Sequence, residues 1–127
     1  HDDGLEMTGD FRRETGEALV DDLLDVSPRP TALFAANDAM AIGALRALDR
    51  AGVAVPSDLA VVGFDDIPTA EYVSPALSTV RVPMRDLGHR AMAHMLDVLA
   101  GRPTDGNRVD TLTTEFVARA SCGCRAP

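Results

Sequence analysis

Two apolar runs of this chain end on polar pairs of the same kind. Residues 31–36 close on Asn37-Asp38, and residues 59–64 close on Asp65-Asp66. One helix-length segment lies between them. The order is strand, helix, strand, with an amide or a carboxylate at the carboxyl end of each strand. Ligands of open α/β sheets bind at that edge. A carboxylate such as Asp65 accepts hydrogen bonds from two neighbouring hydroxyls, and Asn37 both donates and accepts, which suits a hydroxyl that does both. Phe11, at the end of an earlier segment, offers an apolar face to the C–H face of a sugar ring. An apolar lining with a few polar groups is the usual design of a small-molecule site. Plainer roles stay open for the same residues: helix capping for Asn37 and Asp38, a turn for Asp65.

Catalytic patterns are missing. The chain holds no Gly-x-Ser-x-Gly elbow, no His-Glu-x-x-His, no phosphate-cradling glycine loop and no dinucleotide glycine triplet. His89 and His94 are five apart, whereas zinc pairs on a helix favour a spacing of four. Asp65-Asp66 could hold a divalent cation at a strand end, but the chain contains no lysine to join a phosphoryl-transfer site. Cys122 and Cys124, in Ser-Cys-Gly-Cys, lack the further ligands a zinc site needs and read as an inert tail. No catalytic residue, metal or cofactor is expected.

The elements that must position these residues follow from periodicity. Residues 12–24 form a helix with Ala18, Leu19, Leu23 and Leu24 near one stripe, stopped by Ser27-Pro28-Arg29-Pro30. Residues 31–36 form a strand. Asp38 is expected to cap a helix over 39–51. Residues 59–64 read as a strand covered on both faces, 67–75 as an irregular loop holding Tyr72, and 78–82 as a third strand. Residues 87–99 form a helix with Leu87, Ala91, Met95 and Leu99 at intervals of four, and 112–120 a last strand. The fold class is α/β with a parallel sheet.

The helix over 39–51 carries a further signal. Arg46, Asp49 and Arg50 define a polar face opposite Ala41, Ala44 and Leu48, and Ile42 falls inside that polar face. Residues 39–45 are apolar all round, which usually means cover on more than one side. One cover would be the sheet; the second is read as another subunit, in preference to a lone exposed isoleucine.

The bulk numbers fit one small domain. The chain has 127 residues, 46% of them hydrophobic and 25% charged, and a net charge of −8. All twelve basic residues are arginine, with no basic run. Nucleic-acid surfaces are normally basic because affinity comes from phosphate neutralisation, so this chain is not expected to bind DNA by itself. No apolar stretch approaches the roughly 20 residues of a membrane helix. The start, His-Asp-Asp-Gly, has neither Met nor a signal pattern, and the chain reads as a fragment.

A set of motifs in order also resembles the lactose-repressor/galactose-repressor family of bacterial regulators. It includes Gly9-Asp10-Phe11, Arg29-Pro30-Thr31-Ala32, Phe34-Ala35-Ala36-Asn37-Asp38 and Met40-Ala41-Ile42-Gly43-Ala44. It continues with Val55-Pro56, Val62-Gly63-Phe64-Asp65-Asp66, Pro75-Ala76-Leu77-Ser78-Thr79-Val80 and Val117-Ala118-Arg119-Ala120-Ser121-Cys122. The resemblance implies an effector-binding core of two lobes, each α/β, like periplasmic sugar-binding proteins of type I. Residues 1–127 would be its C-terminal part, an incomplete lobe. The helix-turn-helix and most of the N-terminal lobe would lie outside it, with the opening helix and strand of this lobe. Asn37 and Asp65 match the family's effector-hydroxyl contacts and Phe11 its stacking aromatic. Ile42 and Tyr72 match positions in its dimer interface. The implied protein is a cytoplasmic, sugar-responsive homodimeric regulator, neither enzyme nor membrane protein, that meets operator DNA through the missing N-terminal domain. The alternative is a sugar-binding protein of a transport system.

Overall fold

The computed structural model describes residues 5–103 and 109–124; the opening residues read above lie outside them. Helix α1 spans Arg13–Asp25. Asp10 stands ahead of it and accepts hydrogen bonds from the Arg12 amide (3.1 Å) and the Thr15 hydroxyl. Gly16, Val20 and Leu23 form its buried stripe, spaced as one helical face requires. Strand β1 is Ala32–Phe34, helix α2 is Asp38–Arg50 and strand β2 is Ala60–Asp65. A 3₁₀ turn at Pro68–Glu71 lies within the expected loop, and strand β3 is Ser78–Arg81. Helix α3 (Met84–Leu99), strand β4 (Glu115–Val117) and a 3₁₀ turn at Ala120–Cys122 complete the order.

The four strands lie in the order β1-β2-β3-β4. β1 and β2 are parallel, with Phe34 opposite Val62; β2 and β3 are parallel, with Asp65 opposite Arg81. The parallel sheet expected from the sequence is present. β1 and the last strand are markedly shorter than expected, and β3 is shorter by one residue. β1 lies at the edge of this sheet, and Phe34 is 62% exposed there. The last strand ends at Val117, because Arg119 and Ser121 leave the ladder to bond side chain to backbone beneath β2 and β3.

Two compact units are present. The first contains residues 1–81 and 116–127, the second Val82–Glu115. In the second, no residue of α3 is buried, and Leu87, Met95 and Leu99 on its apolar stripe are exposed. Among the described residues no helix is long and apolar enough to cross a membrane.

In the first unit the core lies between the two helices and the sheet, around Val20, Ala41, Leu48, Leu59, Val61 and Leu77. Helices α1 and α2 meet backbone to backbone. A Cβ on Gly16 would strike the Met40 carbonyl, and one on Gly43 would strike the Arg13 carbonyl. This accounts for the apolar start of α2 differently from the sequence reading. The second cover of that helix is α1 of the same chain, so the all-round pattern is not evidence for a partner. Ile42 is half-buried against the core edge.

The crossing is testable. Alanine is favoured over glycine inside a helix by roughly 1 kcal/mol, yet Gly43→Ala should destabilise by about 1–3 kcal/mol, the usual cost of overpacking. Urea unfolding of the protein carrying the variant reads the sign. A raised midpoint would mean that the helices separate without penalty.

Candidate functional site

Asn37 is the cap of α2. Its backbone is extended (φ −153°, ψ 166°), and its Oδ1 accepts from the Met40 amide at 2.9 Å. Its Nδ2 donates to the Phe11 carbonyl, also at 2.9 Å. One side chain therefore stops β1, starts α2 and fixes the turn that carries Phe11. An amide has two donors and two acceptor lone pairs, so Asn37 retains one of each. Asp38, expected as the cap, does something else. It is fully buried, and its carboxylate accepts from the Thr79 hydroxyl at 2.5 Å and the Ile67 amide at 2.9 Å.

Asn37 and Asp65 stand each three residues beyond the register pair Phe34 and Val62. They share the carboxyl end of neighbouring parallel strands, as right-handed crossover requires. The backbone there is unusual. Phe11 (φ 65°), Asp65 (φ 112°) and Asp66 (φ 59°) are the non-glycine residues at positive φ among the described residues. Such conformations cost about 1–3 kcal/mol each and persist where surrounding contacts over-determine them, typically at functional sites.

The contacts at Asp66 are strong. Arg119 Nη2 donates to Oδ1 at 2.7 Å and Arg81 Nε to Oδ2 at 2.6 Å. The Asp66 and Arg119 side chains are only 9% and 15% exposed, while Arg81 is half exposed. Burial works against the Asp66 charge, but the hydrogen bonds from Arg119 and Arg81 outweigh it and hold this carboxyl below its ordinary range. Asp65 is the opposite case. Among the described residues its carboxylate makes no hydrogen bond or ion pair. Burial pushes its pKa up, and the nearby Asp38 charge adds to the shift.

An apolar groove of about 200 Å³ runs beside this edge, lined by Gly9, Phe11, Leu33, Ala35, Met40 and neighbours. Phe11 joins the groove to Asn37; neither Asn37 nor Asp65 lines it. Ile42 lies elsewhere, in a shallow depression with Arg13, Ala39, Ile67 and Thr69. Tyr72 is 79% exposed. The structure thus brings Phe11, Asn37 and Asp65 to one edge. Sequence reasoning missed Asp38, Asp66, Thr79 and Arg119 as its supports. The polar pair Ser78-Thr79, which opens β3, was the available signal.

With this geometry in view, the comparisons with known proteins are specific. The family model for a periplasmic binding protein-like domain matches residues 3–122. The chain belongs to that family. It is 45% identical over 108 residues to the lactose operon repressor of Rhizobium radiobacter, covering 85% of this chain and 94% of that protein. It is 40% identical over 120 residues to the repressor MelR of Bacillus subtilis, covering 94% of this chain but 34% of the relative. The transcriptional regulator CelR, solved as its cellobiose complex, superposes with a TM-score of 0.89 at 37% identity, covering 95% of this chain and 37% of that one. A LacI-family regulator from Lactobacillus casei with bound sucrose gives 0.69 at 33% identity, covering 87% and 40%. The chain is part of a LacI/GalR-type effector-binding domain, and it spans about a third of the length of MelR and CelR. These relatives are transcriptional regulators, not enzymes.

The two neighbouring aspartates should answer pH with opposite sign. Asp66, with its pKa lowered by folding, contributes stability that is fully present above the ordinary carboxyl value near 3.8 and is lost as pH falls through the lowered value. Asp66→Asn should therefore cost about 3–5 kcal/mol at neutral pH, as for a broken buried pair, and much less in strong acid. Asp65, with its pKa raised, opposes folding once ionised, so Asp65→Asn should leave neutral-pH stability equal or higher. Thermal melts of both variants from neutral pH into strong acid check the signs.

Proposed function

We propose that this chain is the effector-binding part of a sugar-responsive transcriptional regulator, with the effector seated at the carboxyl edge of the sheet. Asp65 would accept hydrogen bonds from two sugar hydroxyls, Asn37 would bridge a third with its free donor and acceptor, and Phe11 would stack on the ring. The observation that carries this reading is Asp65, a carboxylate held at φ 112° on the strand edge with no protein partner among the described residues. A half-buried charge without a protein partner, on strained backbone, opposes folding and is typical of a ligand contact. Relatives solved with cellobiose and sucrose support the class of effector.

In this reading the full-length protein is a cytoplasmic homodimer without catalytic activity. Operator DNA is met by a helix-turn-helix outside this chain, consistent with the net charge of −8 here. The dimer would use the face around Ile42 and Tyr72, one half-buried and one exposed.

Two measurements test it. Calorimetry of the full-length regulator with cellobiose, sucrose and lactose should give binding by at least one sugar. Asp65→Ala should weaken that binding about ten- to a hundredfold, from the loss of a charge-assisted hydrogen bond worth roughly 1.5–3 kcal/mol, with operator affinity in the absence of sugar unchanged. No binding by wild type, or an unmoved constant in the variant, overturns the site. Separately, Ile42→Asp places a charge in a surface that dimerisation would desolvate. Sedimentation should show the variant dissociating at concentrations where wild type is dimeric; an equally dimeric variant removes Ile42 from the interface.

A further inference from the structure

Among the described residues the Asp65 carboxylate makes no hydrogen bond or ion pair, yet its backbone sits where an L-residue rarely rests. Something beside it must supply the restraint, and the hydrogen bonds around the turn identify it. Before Asp65, β2 is locked into the ladder between β1 and β3. After it, Asp66 is gripped by Arg119 and Arg81, and the Ile67 amide is tied to buried Asp38.

Of the two arginines on Asp66, Arg119 is the more buried. Its amide donates to Ser78 Oγ at 2.8 Å, and its Nη1 donates to the Leu77 carbonyl at 2.8 Å, so one guanidinium spans from β3 to Asp66. Ser121, two residues on, is fully buried. It accepts from the Ser78 amide at 2.8 Å, donates to the Val61 carbonyl at 2.6 Å, and its own amide donates to the Ala76 carbonyl at 3.0 Å. Arg119 is thus fixed at its main chain to Ser78 of β3, and at its tip to Leu77 just before that strand and Asp66 just after β2. Arg81 has half its side chain in water, where ion pairs are weak.

We propose that Arg119 is a positioning residue for the effector: by holding Asp66 against β3 it keeps residue 65 at φ 112° and its carboxylate at the strand edge, without touching the ligand. The proposal rests on the reading of Asp65 as an effector contact. The planar fork of arginine is what the task needs, since one group must meet a carboxylate and a carbonyl at once. Lysine has no such geometry. The arrangement couples the closing segment of the chain to the site, so a substitution at Arg119 acts on effector affinity through residue 65.

The test is a double-mutant cycle in the full-length regulator, read by calorimetry with whichever of cellobiose, sucrose and lactose binds wild type most tightly. Arg119→Met should weaken sugar binding about ten- to a hundredfold, as when a contact loses its supporting shell. Operator affinity without sugar should be unchanged. In an Asp65→Ala background the same substitution should cost almost nothing more, because the two changes remove one contact. Arg119→Lys should recover only part of the loss. A crystal structure of Arg119→Met should show residue 65 relaxed out of the positive-φ region. Additive losses, or residue 65 unmoved, overturn the proposal and leave Arg119 a stabilising residue only. Where Arg119→Met fails to fold, as shown by loss of operator binding, Asp66→Asn releases the same clamp and the cycle is read with it. An Asp65→Ala variant with wild-type sugar affinity, or a wild type that binds none of the three, instead fails the underlying site assignment; the position of residue 65 in the Arg119→Met crystal still decides the clamp.

Discussion

The buried carboxylate of Asp38 is the constraint on which the strand-end geometry depends. A fully buried charge is tolerable only when its hydrogen bonds are met. Asp38 meets them from two elements far apart in sequence: the Thr79 hydroxyl on β3 and the Ile67 amide beyond β2. It also sits in the first turn of α2, where the helix dipole favours negative charge. Helix, strand and turn are therefore set around one group. Space for it comes from Gly63. A Cβ there would collide with Asp38 Oδ1, with Leu77 and Ala41 close behind. The glycine in the apolar run Val-Val-Gly-Phe is thus the complement of the aspartate in Asn-Asp, and neither can be explained alone.

How much of this was legible in the sequence depends on the range of the interaction concerned. Strand, helix and strand were legible because period and run length are local properties, and the parallel order followed from the short crossover. Asn37 and Asp65 were legible as edge residues for the same reason. Asp38 was misread as a cap, because a short acceptor before a helix has the same local signature whether it caps or is buried; only Thr79, on another strand, separates the two. Arg119 stood in a recognised motif without an assignable role, since its partner Asp66 lies far back in the chain. Apolar periodicity also reports that a face is covered without naming the cover. The start of α2 was assigned to a partner subunit when Gly16 and Gly43 show that α1 lies there. Conversely, Phe34 and the stripe of α3 are as apolar as buried elements and yet exposed.

Three carboxylates crowd the end of β2, and they are not equivalent. Asp38 keeps its charge but has its hydrogen bonds met by a hydroxyl and an amide, at a helix start. Asp66 is neutralised by two guanidinium groups. Asp65 is half-buried without a hydrogen-bond or ion-pair partner among the described residues; burial raises its pKa, and the Asp38 charge raises it further. Neighbouring acids are thus treated in opposite ways: the satisfied pair builds the turn, and in the proposed reading the third is the one that bonds the effector. That division also constrains what can bind. An anion brought to this edge would add charge to a site that already disfavours it, in surroundings where screening is weak. A neutral ligand rich in hydroxyl donors instead supplies the hydrogen bonds that Asp65 lacks, and lowers the cost of its ionised form. In the proposed reading, this edge therefore suits a neutral polyol, the chemistry of an unmodified sugar, better than an acidic molecule.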